Sequence, residues 1–383
     1  TRLTASTDLR RAVSTSEITI VAVGTPFDGE HIDLEYVRSA CTQIGEALAT
    51  IDHYHVVVVK STVVPGTTDQ LVAHLLERAS GRVAGADFGL AMNPEFLREG
   101  SAVADFARPD RIVIGGLDER SCDVVAELYE PFQPVDVVRT DLRTAELIKY
   151  TANSLLATLI SFSNELANLA AAVGVDAVDV MRGVHLDARF SPVLADGTRV
   201  SPGVLSYLQG GCGFGGSCFP KDVRALIAFG NEHAVPMRLL HSVIEVNDAQ
   251  PHQVLALLAR RIGDVSGRRI AVLGTSFKPG TDDVRESPAF PVIDELLRRG
   301  AVVVVHDPVA LDATRALLDG RVEYATALDQ AVAGAEALLV MTSWPEFHAL
   351  PDLVGGLDPQ PVVIDGRRMF HPAHFERYEA IGR

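Results

Sequence analysis

Two runs of β-branched residues, ITIVAV at 18–23 and HVVVVK at 55–60, enclose an amphipathic segment from Leu34 to Ala49. Three further runs have strand character: FGLAM at 88–92, RIVIGG at 111–116 and VDVVR at 135–139. HVVVVK and RIVIGG are almost continuously apolar, which is typical of strands buried on both faces of a sheet. The alternation of such strands with helical patterns predicts a doubly wound parallel sheet in the N-terminal part of the chain.

The carboxyl ends of these strands lead into three conspicuous loops. They are VGTP at 23–26, STVVPG at 61–66 and NPEFLREG at 93–100. Open α/β sheets bind their ligands at the carboxyl ends of the strands. We therefore expect ligand contacts in these loops.

The N-terminal region lacks the usual dinucleotide fingerprint. A dinucleotide-binding domain normally begins with a strand, a GxGxxG turn and an acidic residue after the second strand. No GxGxxG occurs before Gly24, and a sheet without those first elements would have unpaired edges. We expect a further N-terminal segment to carry the pyrophosphate loop.

A long helix is predicted from Thr144 to about Val173, ending at Gly174. Lys149 and Asn153 lie one turn apart and interrupt an otherwise apolar surface. This pattern fits a ligand site or a snorkelling lysine about equally well. A helix of this length between two α/β halves can bury apolar surface against a second copy, which predicts a homodimer.

The alternation of strands and helices restarts at about Pro251. Gln250-Pro251 is predicted to mark a boundary after a helix at Met237–Val246. Beyond it, helices are predicted at 252–261, 288–299 and about 310–318, and strands at 269–274, 301–307, 337–342 and 361–366. The chain is therefore predicted to be an α/β protein with two doubly wound parallel-sheet domains and a long central helix, divided at 1–142, 143–250 and 251–383.

The loop GTSFKPG at 274–280 opens the second sheet domain without the dinucleotide fingerprint. It places Lys278 at the switch region, which favours a mononucleotide or sugar phosphate over NAD. GTDDVR at 280–285 continues this loop and would place Arg285 near a cleft. Surface charge is the alternative interpretation of both cations.

Composition restricts the class of protein. The 383 residues carry a formal net charge of −16, which opposes binding to nucleic acid or to an anionic membrane. The most apolar long window, 155–175, contains Asn164 and Glu165, as expected of a core helix rather than a membrane span. The four cysteines show neither disulfide nor zinc spacing, so we expect no metal and a reducing cytoplasm.

The stretch QGGCGFGGSCFPKD at 209–222 surrounds Cys218 with glycines. Bare backbone allows a ligand to approach closely, and Lys221 and Asp222 place an ammonium and a carboxylate near the sulfur. A surface loop with a buried structural cysteine is the alternative. A Cys–His protease would need a partner histidine, and none of the 12 histidines has a comparable setting.

A cysteine has one main use in nicotinamide-dependent oxidation. Oxidation of an alcohol to an aldehyde needs no nucleophile, whereas oxidation of the aldehyde to an acid requires a tetrahedral adduct. A thiolate forms that adduct as a thiohemiacetal, and the resulting thioester is hydrolysed. Lys149 and Asn153 are suited to stabilising the oxyanions, and Asp222 or Glu95 to acting on water.

The motifs VGTP, KSTVVPGT, NPEFLREG, KYTANSLLATLISFSNE, GFGGSCFPKD, FKPGTDDVRESP and VVIDGRR occur in this order. The chain resembles the UDP-glucose 6-dehydrogenase family of nucleotide-sugar dehydrogenases over Ile18 to Arg368. The resemblance implies two Rossmann-like domains joined by a dimerising helix. It also implies a four-electron oxidation of the C6 hydroxymethyl group of a nucleoside-diphosphate hexose, with two NAD used in turn.

The resemblance also implies roles for individual residues. The catalytic set would be Cys218 as nucleophile, Lys149 as acid/base or oxyanion-stabilising cation, and Asn153, Glu95, Asp222 and Thr62. NAD would be held by Val23, Gly24, Thr25, Pro26, Ser61, Thr62, Glu99 and Arg285. The sugar nucleotide would contact Glu95, Phe96, Leu97, Arg98, Lys149, Asn153, Arg189, Tyr207, Leu208, Phe214, Gly215, Phe277, Lys278 and Arg367.

Several alternatives stay open at this stage. SCFPK resembles members that act on unsubstituted glucose, which ranks UDP-glucose before TDP-glucose and GDP-mannose. The segment between Arg189 and Cys218 contains ADGTRVSPG and is longer than is usual in the family, so the nucleotide pocket can differ in shape. A two-electron enzyme of the same architecture and a non-catalytic sugar-nucleotide binder are the rival functions.

Overall fold

The computed structural model describes residues 3–132 and 134–383. Thr1 and Arg2, with which the predicted first domain begins, and Gln133 within it lie outside the described residues. The chain forms two compact units, one of Thr1–Asn153 with Arg224–Met237 and the other of Ser154–Val223 with Arg238–Arg383. The predicted division into three domains stays a prediction.

The first unit contains a five-stranded sheet in which the strands are neighbours in chain order. These are β1 (Ile18–Val21), β2 (Val56–Val59), β3 (Gly89–Met92), β4 (Arg111–Gly116) and β5 (Asp136–Thr140). All five predicted strands are thus confirmed. Val57 and Val59 of β2 pack into one hydrophobic cluster, and Val56 and Val58 pack into another. Burial on both faces therefore explains the unbroken apolar run.

One pairing in this sheet differs from the predicted parallel order. β3 and β4 are antiparallel, whereas the other neighbours are parallel. The connection at 93–110 returns the chain to the sheet edge at which β3 ends, so β4 runs in the opposite direction. This connection contains the helix α4 (Ala102–Ala107). The other helices of this region are α1 (Leu9–Ser14), α2 (Glu35–Leu48), α3 (Ala73–Ser80), which a π-helical segment at Thr67–Val72 precedes, and α5 (Glu119–Glu127).

The second unit contains a six-stranded, fully parallel sheet. Its strands are β6 (Arg269–Leu273), β7 (Val302–His306), β8 (Glu323–Tyr324), β9 (Ala337–Val340), β10 (Val362–Asp365) and β11 (Tyr378–Ala380). The spatial order is β11-β10-β9-β6-β7-β8. The sequence predicted β6, β7, β9 and β10 but missed β8 and β11. These two lie at the edges and have two and three residues, which is too short for a periodic pattern.

The helices after β5 include the predicted long helix, which is α6 (Leu142–Ala172). The others are α7 (Ala177–His185), α8 (Phe219–Glu232), α9 (Arg238–Ile262), α10 (Ala289–Arg298), α11 (Leu311–Leu318), α12 (Leu328–Val332) and α13 (Leu350–Gly355). By length and composition α6 could cross a membrane, a test that core helices also pass. Its buried polar residues Glu146, Lys149 and Asn164 bond to other segments, as in a core helix.

The predicted boundary at Gln250-Pro251 is wrong as a helix end, because α9 continues through Pro251. Proline lacks the N–H that an interior position donates. Here the buried residues Val243, Val254 and Leu258 lie on both sides of it along the helix. Packing of this apolar face outweighs the loss of one hydrogen bond.

The burial of α9 yields a stability prediction. Leu258 is 1% exposed, whereas Leu239 on the same helix is 66% exposed. Leu258→Ala should lower the free energy of unfolding by about 2–5 kcal/mol, because it leaves a cavity in the core. Leu239→Ala should change it by less than about 0.5 kcal/mol. Urea unfolding followed by circular dichroism measures both, and equal effects would contradict the described packing.

Candidate active site

A partly buried ion pair joins two predicted site residues of the first unit. Lys149 Nζ lies 3.0 Å from Glu95 Oε1, and the side chain of Lys149 is only 4% exposed. Leu97 N–H donates to the other oxygen, Oε2, at 2.6 Å. The ammonium also lies 5.5 Å from the centroid of the Phe96 ring. The lysine is therefore a fixed buried cation, which excludes the snorkelling interpretation.

Asn153 follows Lys149 by one turn of α6 and is also buried. Residues four apart on a helix share a face. An ammonium and a carboxamide are thus presented side by side. Both can donate to an oxygen that gains negative charge during a reaction.

The loops after β1 and β2 are tied together at the carboxyl edge of the sheet. Thr25 Oγ1 donates to the carbonyl oxygen of Thr62 at 2.8 Å, and Ser61 Oγ donates to that of Val23 at 2.7 Å. A Cβ added at Gly24 would meet no atom within 4 Å, so the backbone there is open to a ligand. The cofactor residues predicted in these two loops are therefore next to one another, and their role towards NAD stays a prediction.

Lys60, which directly precedes Ser61, was not among the predicted site residues. Its Nζ donates to Asn93 Oδ1 at 2.9 Å and lies 3.3 Å from Tyr129 Oη. Burial above all, with a smaller contribution from Lys149, lowers the pKa of Lys60 to about 8, and Glu95 opposes the shift. A lysine at the carboxyl end of a buried strand was the available signal.

Cys218 lies in the second unit directly before α8 and is exposed. The alternative of a buried structural cysteine is therefore wrong for this residue. Asp222 lies one turn further on, is buried, and accepts from Lys221 Nζ at 2.6 Å. The N–H of Asp222 donates to the carbonyl oxygen of Cys218 at 2.8 Å, which fixes the backbone of the cysteine to the first turn of α8.

The other three cysteines are buried. Burial raises the pKa of Cys41 to about 12 and also raises those of Cys122 and Cys212. They are therefore poor nucleophiles, so the four thiols differ sharply in reactivity.

The glycines before Cys218 allow close packing of the loop. A Cβ at Gly215 would overlap the backbone oxygen of Glu286, and one at Gly216 would lie 2.8 Å from Phe277 Cε2. Gly216 also has a φ of +84°, and its N–H donates to the Arg285 carbonyl oxygen at 3.0 Å. The predicted site residues Gly215 and Phe277 are thus in one packed cluster.

Three side-chain amides that the sequence analysis missed hold this loop. Asn247 accepts from Phe214 N–H at 2.8 Å and donates to the Phe214 carbonyl oxygen at 3.1 Å. Gln250 donates to the carbonyl oxygen of Gly211 at 2.7 Å, and Asn164 accepts from Gly211 N–H at 2.8 Å. The loop therefore has its backbone groups satisfied by α6 and α9.

An aromatic cluster lies beside the cysteine. The ring of Phe219 is 6.0 Å from that of Phe214 and 6.3 Å from that of Tyr207. Leu208, next to Tyr207, is buried. The predicted substrate residues at 207, 208 and 214 are thus near one another, around the first residue of α8.

Arg367 makes three backbone contacts. Its guanidinium donates to the carbonyl oxygens of Met341 at 2.7 Å, Gly213 at 2.9 Å and Phe277 at 3.5 Å. It therefore joins the cysteine loop to the loop after β6. Lys278 Nζ lies 5.6 Å from the centroid of the Phe277 ring.

The loop after β6 is anchored by Asp307, which the sequence analysis also missed. Its carboxylate accepts from the N–H groups of Thr275 at 2.8 Å and Ser276 at 2.9 Å, and from Trp344 Nε1 at 3.1 Å. The position of Asp307, directly after β7, was the available signal. The N–H groups of Thr275 and Ser276 at the end of β6 thus donate to Asp307, whereas an anionic ligand could otherwise accept these hydrogen bonds.

Three predicted ligand-binding arginines are each paired with a carboxylate. Arg98 pairs with Asp105, Arg189 with Asp187, and Arg285 with Asp283. Arg189 lowers the pKa of Asp187 to about 2, and Arg98 holds that of Asp105 well below its usual range. The side chain of Arg189 is 85% exposed. Their roles towards ligands, like that of half-buried Glu99, stay predictions.

Sequence profiles of the UDP-glucose/GDP-mannose dehydrogenase family match three parts of the chain. The NAD binding domain matches residues 1–133, the central domain 143–249 and the UDP binding domain 271–372. UDP-glucose 6-dehydrogenase AglM of Haloferax volcanii is 42% identical, over 99% of this chain and 86% of that protein. UDP-glucose 6-dehydrogenase TuaD of Bacillus subtilis is 41% identical, over 100% of this chain and 80% of that protein.

Solved structures show the same similarity. A UDP-glucose dehydrogenase from Pyrobaculum islandicum matches with a TM-score of 0.88 and 40% identity, over 98% of this chain and 82% of that one. A UDP-D-ManNAc dehydrogenase from Pyrococcus horikoshii matches with a TM-score of 0.82 and 27% identity, over 98% and 84%. The confirmed fold class is that of these dehydrogenases.

The exposure of the thiols can be tested directly. Native protein should release one equivalent of thionitrobenzoate with Ellman's reagent, and denatured protein four, because Cys218 is exposed and the other three cysteines are buried. Cys218→Ser should release none in the native state. Rapid reaction of a second thiol in native protein would contradict the described burial.

Proposed function

The chain belongs to the UDP-glucose/GDP-mannose dehydrogenase family and is an NAD-dependent nucleotide-sugar oxidoreductase, and we propose that it oxidises the C6 hydroxymethyl group of UDP-glucose to a carboxylate. The observation that carries this proposal is the exposed Cys218 at the start of α8. A two-electron alcohol oxidation needs no nucleophile, whereas oxidation to the acid does.

NAD, when bound, supplies the hydride acceptor for both oxidations. Its proposed contacts are Val23, Gly24, Thr25, Pro26, Ser61, Thr62, Glu99 and Arg285. The hydroxyls of Thr25 and Ser61 are used to join the two loops. Open backbone at Gly24 therefore supports this assignment more directly than those side chains do.

Cys218 adds as a thiolate to the C6 aldehyde and forms a thiohemiacetal. Removal of the remaining C6 hydrogen as hydride then leaves a thioester at the same sulfur. Lys149 and Asn153 are proposed to stabilise the oxyanions and to orient the reacting oxygen, since both are buried donors on one face of α6. The pairing of Lys149 with Glu95 keeps the ammonium in place before substrate binds.

Hydrolysis of the thioester needs an oriented water. Asp222 is proposed to position it, because this carboxylate lies one turn after Cys218 on the same helix face. Glu95 and Thr62 are proposed to assist. The thiolate is then released, and the sugar leaves as a uronate.

The remaining predicted residues are proposed to hold the sugar nucleotide. They are Phe96, Leu97, Arg98, Arg189, Tyr207, Leu208, Phe214, Gly215, Phe277, Lys278 and Arg367. Of these, Arg367 fixes loop backbone, so its contribution to binding would come mainly through the position of Phe277 and of the cysteine loop. The ammonium group of Lys278 is proposed to bind the diphosphate.

Glucose is the favoured sugar and uridine the favoured nucleoside. The two reported relatives at 41–42% identity are named for UDP-glucose, whereas the enzyme named for an N-acetylated sugar is 27% identical. SCFPK at 217–221 supports the same choice. TDP-glucose and GDP-mannose are the alternative substrates that a substrate screen would distinguish.

The cysteine route gives a defined result for Cys218→Ser. Wild-type enzyme should form two NADH per UDP-glucose consumed. The variant should still bind UDP-glucose in calorimetry yet form no UDP-glucuronate, because a serine hydroxyl is too weak a nucleophile here. Ser217→Ala, which keeps the thiol, should still form the acid. Acid production by Cys218→Ser at the wild-type rate would contradict the thioester route.

A homodimer is proposed through one side of α6. Leu147, Leu155, Phe162 and Leu169 recur at intervals of about two turns, and each is between 44% and 59% exposed. Apolar residues at such spacing form a continuous stripe, and an exposed stripe of this kind marks an interaction surface. A second copy of the same helix would match it.

Phe162→Asp should convert the dimer to a monomer in light scattering, because it places a charge in the centre of the stripe. Leu317→Asp provides the control, since Leu317 is 57% exposed on α11, away from the stripe. It should leave the molar mass unchanged. A monomeric wild-type protein would contradict the proposed dimer.

The cytoplasm is the proposed location. The four cysteines are unpaired, and the reaction requires Cys218 as a free thiol, which a reducing compartment preserves. The uronate product is a sugar donor, so we place the enzyme before glycosyl transfer, as in polysaccharide biosynthesis.

A further inference from the structure

Glu146 is a fully buried carboxylate on α6 that the proposed chemistry does not use. Its Oε2 accepts from the N–H of Gly66 at 2.7 Å, and its Oε1 accepts from the N–H of Thr68 at 2.8 Å. Both donors belong to the segment that follows β2. Glu146 therefore connects α6 to the KSTVVPGT segment, one turn before Lys149.

This contact is an unusual form of helix capping. The first N–H groups of a helix have no partner within the helix and are usually satisfied by a neighbouring Ser, Thr, Asp or Asn. Here the cap comes from 78 to 80 residues further along the chain. Gly66 has a φ of +94°, a left-handed backbone conformation that glycine adopts readily. A long-range carboxylate thus determines where the loop ends.

The other end of the same loop carries proposed cofactor residues. Ser61 and Thr62 are bonded to the loop after β1 through Val23 and Thr25. Residues 61–66 are therefore held at the cofactor end by β1 and at the far end by Glu146. A change at Glu146 would be transmitted to Thr62 through only a few residues.

Four charged groups on the neighbouring segments form two ion pairs. Asp69 lies in the same helical segment and pairs with Arg143 of α6 at 2.7 Å, and Lys149 pairs with Glu95. Burial raises the pKa of Glu146 to about 7 and Asp69 adds to the shift, whereas the bonds from Thr68 and Gly66 oppose it. Its protonation state therefore changes near neutral pH.

We propose that Glu146 is a positioning residue that anchors the loop at residues 61–66 to α6, and that its carboxylate form keeps Thr62 placed for NAD. The inference rests on the proposed function, since it assumes that this loop contacts NAD. The two N–H groups donate to different oxygens of the Glu146 carboxylate. A protonated carboxyl turns one oxygen into a donor, so one of the two hydrogen bonds is lost.

Stability and cofactor binding should then respond to pH in opposite directions. The raised pKa means that the folded protein holds the proton more tightly than the unfolded chain. The resulting stabilisation is complete below about pH 4.5 and is lost as the pH rises through about 7. The two hydrogen bonds that anchor the loop, by contrast, form more fully as the pH rises over the same range. A purely structural role would move both together.

The test compares wild type with Glu146→Gln between about pH 6 and pH 8.5. Glutamine resembles the protonated acid, with one acceptor and one donor. The variant should raise KM for NAD about tenfold at pH 8.5, as expected for a lost hydrogen bond to a charged group, and much less at pH 6. KM for UDP-glucose should change less than twofold. Glu165→Gln, an exposed position on the same helix, should match wild type at every pH.

A ratio of KM values that does not vary with pH, or equal effects on both substrates, would overturn the proposal. Hydrogen exchange on unmodified wild type provides a second test that does not depend on the variant folding. The amides of Gly66 and Thr68 should be better protected at pH 8 than at pH 6 after correction for intrinsic rates. Equal protection would also overturn it. An inactive wild type would contradict the proposed function instead, and the exchange result would still decide the anchoring.

Discussion

The backbone before Cys218 consists largely of glycines and yet has to be held in one conformation. Residues of α6 and α9, together with Arg367, hold it. Glycines at 215 and 216 leave room for the Glu286 backbone and the Phe277 ring. Because a glycine loop has high conformational entropy, external bonds must hold it. Asn164, Asn247 and Gln250 supply these bonds from two helices, and Arg367 supplies another. The proposed nucleophile, Cys218, is thus exposed at the end of a loop that these bonds hold in place.

The first unit meets a related requirement with buried charge. Removing Lys149 and part of Glu95 from water costs free energy that their attraction only partly returns. Such a pair contributes little to stability, but it fixes an ammonium where negative charge develops in the proposed reaction. Glu146, one turn earlier, is a second buried charge that costs stability and orders a loop. Lys60, whose pKa is lowered mainly by burial, extends the same cluster. The free energy of unfolding is therefore lower than it would be with apolar residues at these positions.

The sequence predicted most of the fold because the central strands of both sheets are buried on two faces, which gives unbroken apolar runs such as residues 56–59. It missed β8 and β11 because edge strands of two or three residues have no period. The helix end predicted at Pro251 was wrong, because packing along α9 outweighs the low helix propensity of proline. Cys218 and Lys149 could be found, since their neighbours in sequence are distinctive. Asn247 and Glu146 could not, because their partners lie far away in the chain.

The central claim is that the sulfur of Cys218 becomes covalently bonded to C6 of the sugar. Acid quenching of the enzyme during turnover with UDP-glucose and NAD, followed by proteolysis and mass spectrometry, tests it most directly. The account predicts a peptide containing Cys218 that carries the mass of the nucleotide uronyl group, absent when NAD is omitted. Turnover to UDP-glucuronate with no adduct on Cys218, or with the adduct on another residue, would contradict it.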